Sequence, residues 1–438
     1  MNSVEHSQPA IIELVDSEIL ATASDGEQLS SPGYALLEKS GIATGASAFD
    51  QAWLYPQRSF NQFWHQLNLA PLPVSSAYAR HFADLAFAQL SHIHRELGQP
   101  AEVLFALPGS FSRDQLSILL GLANALQIKT LGLVDSAVAA ASTLEDLSGE
   151  LLHVDIQLHQ AVITRLSATD SITRLGVEIV PDAGLKAFHS AWAQQIANQF
   201  IHEYRYDPLH TAQGEQQLFS KLPVWLRQLA TSSETAVELQ TPRGNFRLNL
   251  QRSALLDSSS ARWGKLRELL TRMGSNSPVI ASYRLHALAG IDAQLNARIL
   301  DRQQVIGACR TALPQLAAQG NQLEFVTRLA RRQSAHTTPP SKADNTTTAA
   351  THLLYGHSAV PVATGLAIDI DGPALGLHRG ASGKLLLEVR NQQLVLTGER
   401  QDVKVEGNPD DLRAGDRLVI NGVTLTLIQA LDEVPTGA

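Results

Sequence analysis

The chain has 438 residues, room for two or three folding units at about 150 residues each. A hydrophobic share of 44% with 29 Gly and 19 Pro excludes collagen-like and low-complexity classes and bulk disorder. The 34 Lys and Arg against 42 Asp and Glu leave a net charge of −8, so no global basic field exists to draw the chain onto nucleic acid or anionic lipid. The lone Cys309 excludes an intramolecular disulfide and fits a reducing compartment. Met1 to Ala10 is polar and lacks a signal-peptide pattern. The longest apolar stretch, Ser117 to Ala141, is broken by Asn124, Gln127, Lys129 and Asp135, too polar to span a bilayer. The expectation is a cytoplasmic protein without a transmembrane segment.

In chain order, Val103 to Leu107 (VLFAL) reads as a buried strand, Pro108-Gly109-Ser110 as a turn, and Ser112 to Leu126 as a helix with Leu116, Leu119, Leu120 and Ala123 on one face. A second strand, Lys129 to Val134, leads into a small-residue helix, Ser136 to Ser142, giving a βαβα unit with parallel strands. Leu151 to Leu166 alternates like a strand pair folding back on itself, with Val154, Ile156 and Leu158 on one face and Asp155 and Gln157 on the other. Ala187 to Tyr204 is helical, about 211 to 256 a polar helical and hairpin region, Pro278 to Ala281 a strand, and 285 to 330 helical. Trp192, Trp225 and Tyr204 read as core or packing residues, and Cys309 as a buried thiol. Arg328, Arg331 and Arg332 read as a solvated helix end. Gln333 to His352 (QSAHTTPPSKADNTTTAATH) is too long and polar for a compact loop and reads as a tether. Beyond it, short apolar runs alternate with Gly, Asn and Asp, including Leu385 to Thr397, Val403 to Val405, Asp416 to Ile420 and Val423 to Ile428. Asn391-Gln392 and Asn421-Gly422 fall at turns, so the tail reads as all-β.

Five segments in order carry a resemblance. They are Ser30 to Leu37 (SSPGYALL), Leu107 to Ala141, Val154 to Leu166, Pro278 to Leu295, and Asp301 to Leu313 (DRQQVIGACRTAL). Together they resemble the nucleotide-binding domain of the 70-kilodalton heat-shock chaperones, part of the actin, hexokinase and sugar-kinase superfamily. The resemblance implies an α/β, actin-like two-lobe ATPase fold. The tether and tail read as a flexible linker over 333–352 and a small β-sandwich-like domain over 353–438, while the resemblance places lobe I over 1–150 and lobe II over 151–332, with a helical and hairpin subdomain at about 205–275. It also implies ATP or ADP with Mg²⁺, with Asp16 and Asp155 holding the ion through water and Asp135 orienting the attacking water. Gln157, His159, Gln160, Ser282, Tyr283 and Arg284 take the nucleotide-binding positions.

The departures from the family concern this site. Its phosphate hairpins use glycine because a Cβ would hold backbone N–H groups away from the phosphate oxygens. Here Asp16 is followed by Ser17, Glu18 and Ile19, and the second hairpin's three glycines and threonine fall on Gln157, Leu158, His159 and Gln160. The catalytic lysine falls near Trp64, and the adenosine glycines on Ser282 and Tyr283. Two readings stand: a scaffold or partner-binding protein with degenerate phosphate loops, or an ATP hydrolase using Asp16, Asp135 and Asp155. His159 reads as a solvated turn residue or a substitute phosphate donor. No ligand spacing supports a metal site of His65, His153 and His159. In the tail, LRAGDRLVINGVTLTLI is similar to the last hairpin of forkhead-associated domains. Arg379 and Ser382 are the phosphopeptide-reading candidates, although the family's G-R and S-x-x-H pattern is not met, and a structural or protein-docking role is the alternative.

Overall fold

A computed structural model describes residues 9–23, 26–317 and 323–331. Further on it describes 350–355, 358–362, 365–369, 376–379, 385–390, 393–398, 403–406, 408–409, 412–420 and 423–428. Two units divide the chain, Met1–His336 and Thr337–Ala438.

The first unit opens with an antiparallel meander of β1 (Ala10–Glu13), β2 (Ile19–Thr22) and β3 (Gln28–Ser31). A small sheet of β4 (Ala35–Leu37), β5 (Ile42–Thr44) and β6 (Ser59–Phe60) follows, with α1 (Ala46–Phe49) between its last two strands. Then come α2 (Phe82–Glu96), β7 (Glu102–Leu107), α3 (Arg113–Ala125), β8 (Lys129–Asp135) and α4 (Ser136–Ser142). The apolar run of β7 pairs in parallel with both β1 and β8, as expected of a strand covered on both faces. A capping box of Ser112 and Gln115 starts α3, tying up two of the backbone N–H groups that a helix start leaves without partners.

A second meander repeats the plan with β9 (Gly149–Ile156), β10 (Gln160–Ala168) and β11 (Ser171–Pro181). It is followed by α5 (Leu185–Tyr204), α6 (Ala212–Thr231), the hairpin β12 (Glu234–Thr241) and β13 (Gly244–Gln251), and α7 (Arg252–Gly274). Strand β14 (Val279–Ala281) then pairs in parallel with β9 and with β15 (Arg298–Ile299), α8 (Ile291–Gln294) lying between β14 and β15 in sequence. Helix α9 (Gln304–Ala317) precedes β16 (Phe325–Val326) and β17 (Arg328–Ala330). The result is two six-stranded sheets, ordered β16-β8-β7-β1-β2-β3 and β15-β14-β9-β10-β11-β17. In each, an antiparallel meander extends through its first strand into parallel strands, three in the first sheet and two in the second.

One core packs α2 and α3 on the first sheet and another packs α5, α6 and α7 on the second. The third lies between the sheets and contains α4 and α9. Every residue of α4 is buried; its small side chains let the sheets approach from both sides. Trp192 and Trp225 belong to the second core, Tyr204 packs against it, and Cys309 is buried in the third.

Two expectations are corrected. Residues 285 to 330 are not uniformly helical, because β15, β16 and β17 return the chain to both sheets. Arg328 lies on β17 and donates to Ser171 Oγ at 2.9 Å, and Arg331 donates to the Leu144 and Thr169 carbonyls at 2.6 and 3.3 Å. These two arginines fasten the end of the unit to neighbouring loops where a solvated helix end was expected; Arg332 lies outside the described residues.

The second unit is built of strands in its described parts. The first sheet runs through β18 (His352–Tyr355), β19 (Ser358–Pro361), β24 (Val403–Glu406), β25 (Arg417–Ile420) and β26 (Val423–Ile428), in the order β19-β18-β26-β25-β24. The other contains β20 (Leu366–Asp369), β21 (Gly376–Arg379), β22 (Leu385–Arg390) and β23 (Gln393–Gly398), in the order β21-β20-β22-β23. Alternate residues of both sheets, Leu385, Leu387, Leu418, Ile420, Leu425 and Leu427 among them, form one core. His352, expected in the tether, begins a strand and pairs with Ile428. Arg379 closes β21, while Ser382, residues 333–349 and the turn pairs Asn391-Gln392 and Asn421-Gly422 lie outside the described residues.

Candidate functional site

The tips of the two meanders meet. Buried Asp16, in the turn after β1, accepts the Leu158 N–H on Oδ1 at 2.8 Å, and Ser17 Oγ donates to the Ile156 carbonyl at 2.5 Å. The N–H groups of Leu185 and Lys186 at the start of α5 go to the Gln157 and Leu158 carbonyls at 2.8 and 2.9 Å. Gly184 is required there, since a Cβ would lie 2.3 Å from the Gln160 nitrogen and 2.5 Å from the Leu158 oxygen. Side chains close the turn further: Gln157 Nε2 donates to Ser110 Oγ at 3.0 Å and Gln160 Nε2 to Gln157 Oε1 at 2.7 Å.

Behind the tips, Arg284 is buried among groups from both sheets. Its guanidinium donates to Glu13 Oε1 at 2.8 Å and to the Glu18 carbonyl at 3.1 and 2.8 Å, and lies 4.0 Å from Asp155 Oδ2. Ser282 Oγ accepts from it at 3.4 Å, and the Tyr283 ring covers it at 4.6 Å. Arg302, paired with Glu18 at 2.6 Å, flanks the same tyrosine. Burial works against the Arg284 charge, but Glu13 and Asp155 hold it firmly protonated. Burial likewise pushes the Glu13 carboxyl up, opposed by Arg284. Asp16 is raised to about 7, first by burial and then by the nearby Asp155 charge, although its Leu158 hydrogen bond opposes the shift.

Asp135 answers to other partners. Fully buried, it caps α4 by accepting the N–H groups of Ala137 and Val138 at 2.9 and 3.3 Å, and Arg174 on β11 donates to it at 2.7 Å. Gly109 makes room for this bridge: a Cβ would lie 2.8 Å from Asp135 Oδ2 and 3.1 Å from Arg174 Nη1. Thus Asp16 and Asp155 share one charge cluster with Glu13 and Arg284, and Asp135 has its own cation.

A pocket of about 190 Å³ opens beside Asp16, lined also by Trp64, His65, Ser110, Gln157 and Gln160. Trp64 is buried and donates from Nε1 to Gln89 Oε1 at 2.8 Å; Gln89 in turn donates to Ser31 Oγ and the Pro32 carbonyl. His159 is not a solvated turn residue. Its Nε2 lies 3.0 Å from the Asn61 carbonyl, its ring packs 5.4 Å from that of His65, and burial lowers its pKa to about 4. At neutral pH it is uncharged and supplies no positive charge to a phosphate. Among the described residues, no group of three or more His, Cys, Asp or Glu is arranged to hold a metal ion.

Sequence reasoning missed Glu13, Arg174, Trp53, Gln216 and Phe219, all of which build the junction between the sheets. The Trp53 N–H donates to Gln216 Oε1 at 2.9 Å, Gln216 Nε2 donates to the Phe49 carbonyl at 3.1 Å, and Trp53 stacks on Phe219 at 4.2 Å. Only Glu13 carried a signal: a carboxylate inside the apolar run AIIELV requires a buried partner. Fold and site together define an α/β protein whose cleft between sheets is occupied by internal pairs. No protein-family model matches the chain, and no curated protein matches it. Among the described residues, no helix is long and apolar enough to cross a membrane.

Proposed function

We propose that this chain is a chaperone-like scaffold of the actin and heat-shock-chaperone fold, non-hydrolysing, with a tethered β-sandwich-like tail that docks a protein partner in the cytoplasm. The observation that carries the reading is internal occupation of the cleft. The Leu158 N–H, a group that would face phosphate, is taken by Asp16, and the Arg284 guanidinium sits where two carboxylates would otherwise need an external cation. The repeated sheet plan supports the two-lobe assignment. The Gln216–Trp53 and Arg284–Glu13 links, joining residues 163 and 271 positions apart, oppose the lobe opening that a nucleotide cycle needs. Tethering raises the effective concentration of a second module without fixing its geometry.

The alternative is an ATP-binding ATPase using Asp16, Asp135 and Asp155 with Mg²⁺. One observation favours it: Asp16 Oδ2 and Asp155 Oδ2 are buried without hydrogen-bond partners, and carboxylate oxygens of that kind suit a hydrated cation. Calorimetric titration of the full chain with ATP and ADP in the presence of Mg²⁺ separates the two. The scaffold reading expects no heat and no thermal stabilisation at millimolar nucleotide. Micromolar binding lost in Asp155→Ala would replace it with the ATPase.

A further inference from the structure

A second cavity of the first unit, about 200 Å³, lies between the segment around α1 and the faces of α5 and α6. Its walls are aromatic. Tyr34 meets Phe49 edge-on at 5.1 Å, Phe49 meets Trp53 edge-on at 5.3 Å, and Trp53 lies flat on Phe219, 4.2 Å away and within 9° of parallel. Gln216 pins the Trp53 backbone, so the walls are formed before any ligand arrives.

Ser17, Lys186 and His189 interrupt this lining. Lys186, in the first turn of α5, is half-buried; burial alone lowers its pKa, and no carboxylate among the described residues offsets that cost. His189, one turn further on, has an Nε2 buried without a hydrogen-bond partner. A half-desolvated ammonium is costly unless an anion meets it. A cavity of about 150 Å³ already admits benzene, so this one takes a single or fused aromatic ring. It lies below the roughly 300–1,000 Å³ typical of pockets for larger ligands.

We infer that this pocket binds a small planar aromatic carboxylate, with the ring among Tyr34, Trp53 and Phe219 and the carboxylate on Lys186. A neutral ring would leave the ammonium unpaired, and an aromatic amine would be repelled by it. Ser17 and Leu158 of the two meander tips also line the cavity, so it adjoins the cleft beside Asp16, and the test below reads ligand binding and not hydrolysis.

The test titrates the full chain with naphthoate and with its uncharged isostere naphthamide, by calorimetry and by quenching of tryptophan fluorescence. Naphthoate binds about tenfold or more tightly than naphthamide, as expected for one charge-assisted pair. Lys186→Gln weakens naphthoate by about tenfold and leaves naphthamide within about twofold. Ala287→Leu, which fills the cavity from its rim, removes binding of both while the circular dichroism spectrum is unchanged. Equal binding of the acid and the amide, no effect of Lys186→Gln, or no binding of naphthoate at millimolar concentration overturns the proposal.

Discussion

The Asp16 carboxylate accepts the Leu158 N–H at 2.8 Å across 142 residues of sequence, joining the tip of one meander to the tip of the other. Asp16→Ala leaves a buried N–H without a partner and is expected to cost about 1–3 kcal/mol. Asp16→Asn keeps an acceptor and restores most of that loss. Urea unfolding of the two variants side by side measures it.

The same carboxyl predicts a pH dependence. Its folded pKa of about 7 lies above the ordinary 3.8, so between those values the folded chain binds more protons than the unfolded chain. Stability contributed by the protonated form is therefore lost as pH rises through about 7. Relative to wild type, Asp16→Asn gains stability from about pH 4 to about 7 and levels off above. Equal slopes in denaturation series of the two proteins would remove Asp16 as the cause.

Buried histidines act with the opposite sign. Burial lowers His153, His159 and His189 to about 4 from the ordinary 6.5, so the unfolded chain binds more protons in that window and stability falls as pH drops through it. His153→Gln is expected to flatten the acid limb between about pH 6 and 4, read by thermal melts in matched buffers.

Arg284 neutralises carboxylates from both sheets. Arg284→Met leaves Glu13 and Asp155 buried without their cation, which costs about 3–5 kcal/mol for a broken buried pair. Adding Glu13→Gln to Arg284→Met recovers part of the loss, because the second change removes a stranded charge. A double-mutant cycle of unfolding free energies checks the coupling; additive effects would mean that the pair does not interact.

Gly184→Ala tests the contact between α5 and the second tip. The added Cβ would lie 2.3 Å from the Gln160 nitrogen and 2.4 Å from the His159 carbonyl carbon, backbone that can move only with the whole hairpin. The variant is expected to melt several degrees lower, by roughly 1–3 kcal/mol of overpacking.

Residue pattern alone determined the local elements. The VLFAL run is a parallel strand in the first sheet, Ser112 and Gln115 cap the helix that follows, and the alternation from Leu151 to Leu166 is a strand pair. Periodicity carries this much because it records which face of an element leaves water. The resemblance selected Asp16, Asp155 and Arg284 as site residues, and the structure gathers them into one charge cluster.

What fills each buried face was decided only by the tertiary structure. The resemblance makes Asp135 a water-orienting carboxylate, whereas in the structure it caps α4 and pairs with Arg174, 39 residues on. His159 reads as solvated until Asn61, 98 residues earlier, meets its ring nitrogen. The return of β16 and β17 to the two sheets was likewise hidden, since two- and three-residue strands carry no periodicity. In each case the deciding partner is distant in sequence, and a hydrogen bond or ion pair depends on where packing brings two side chains, which neither residue's own neighbours encode.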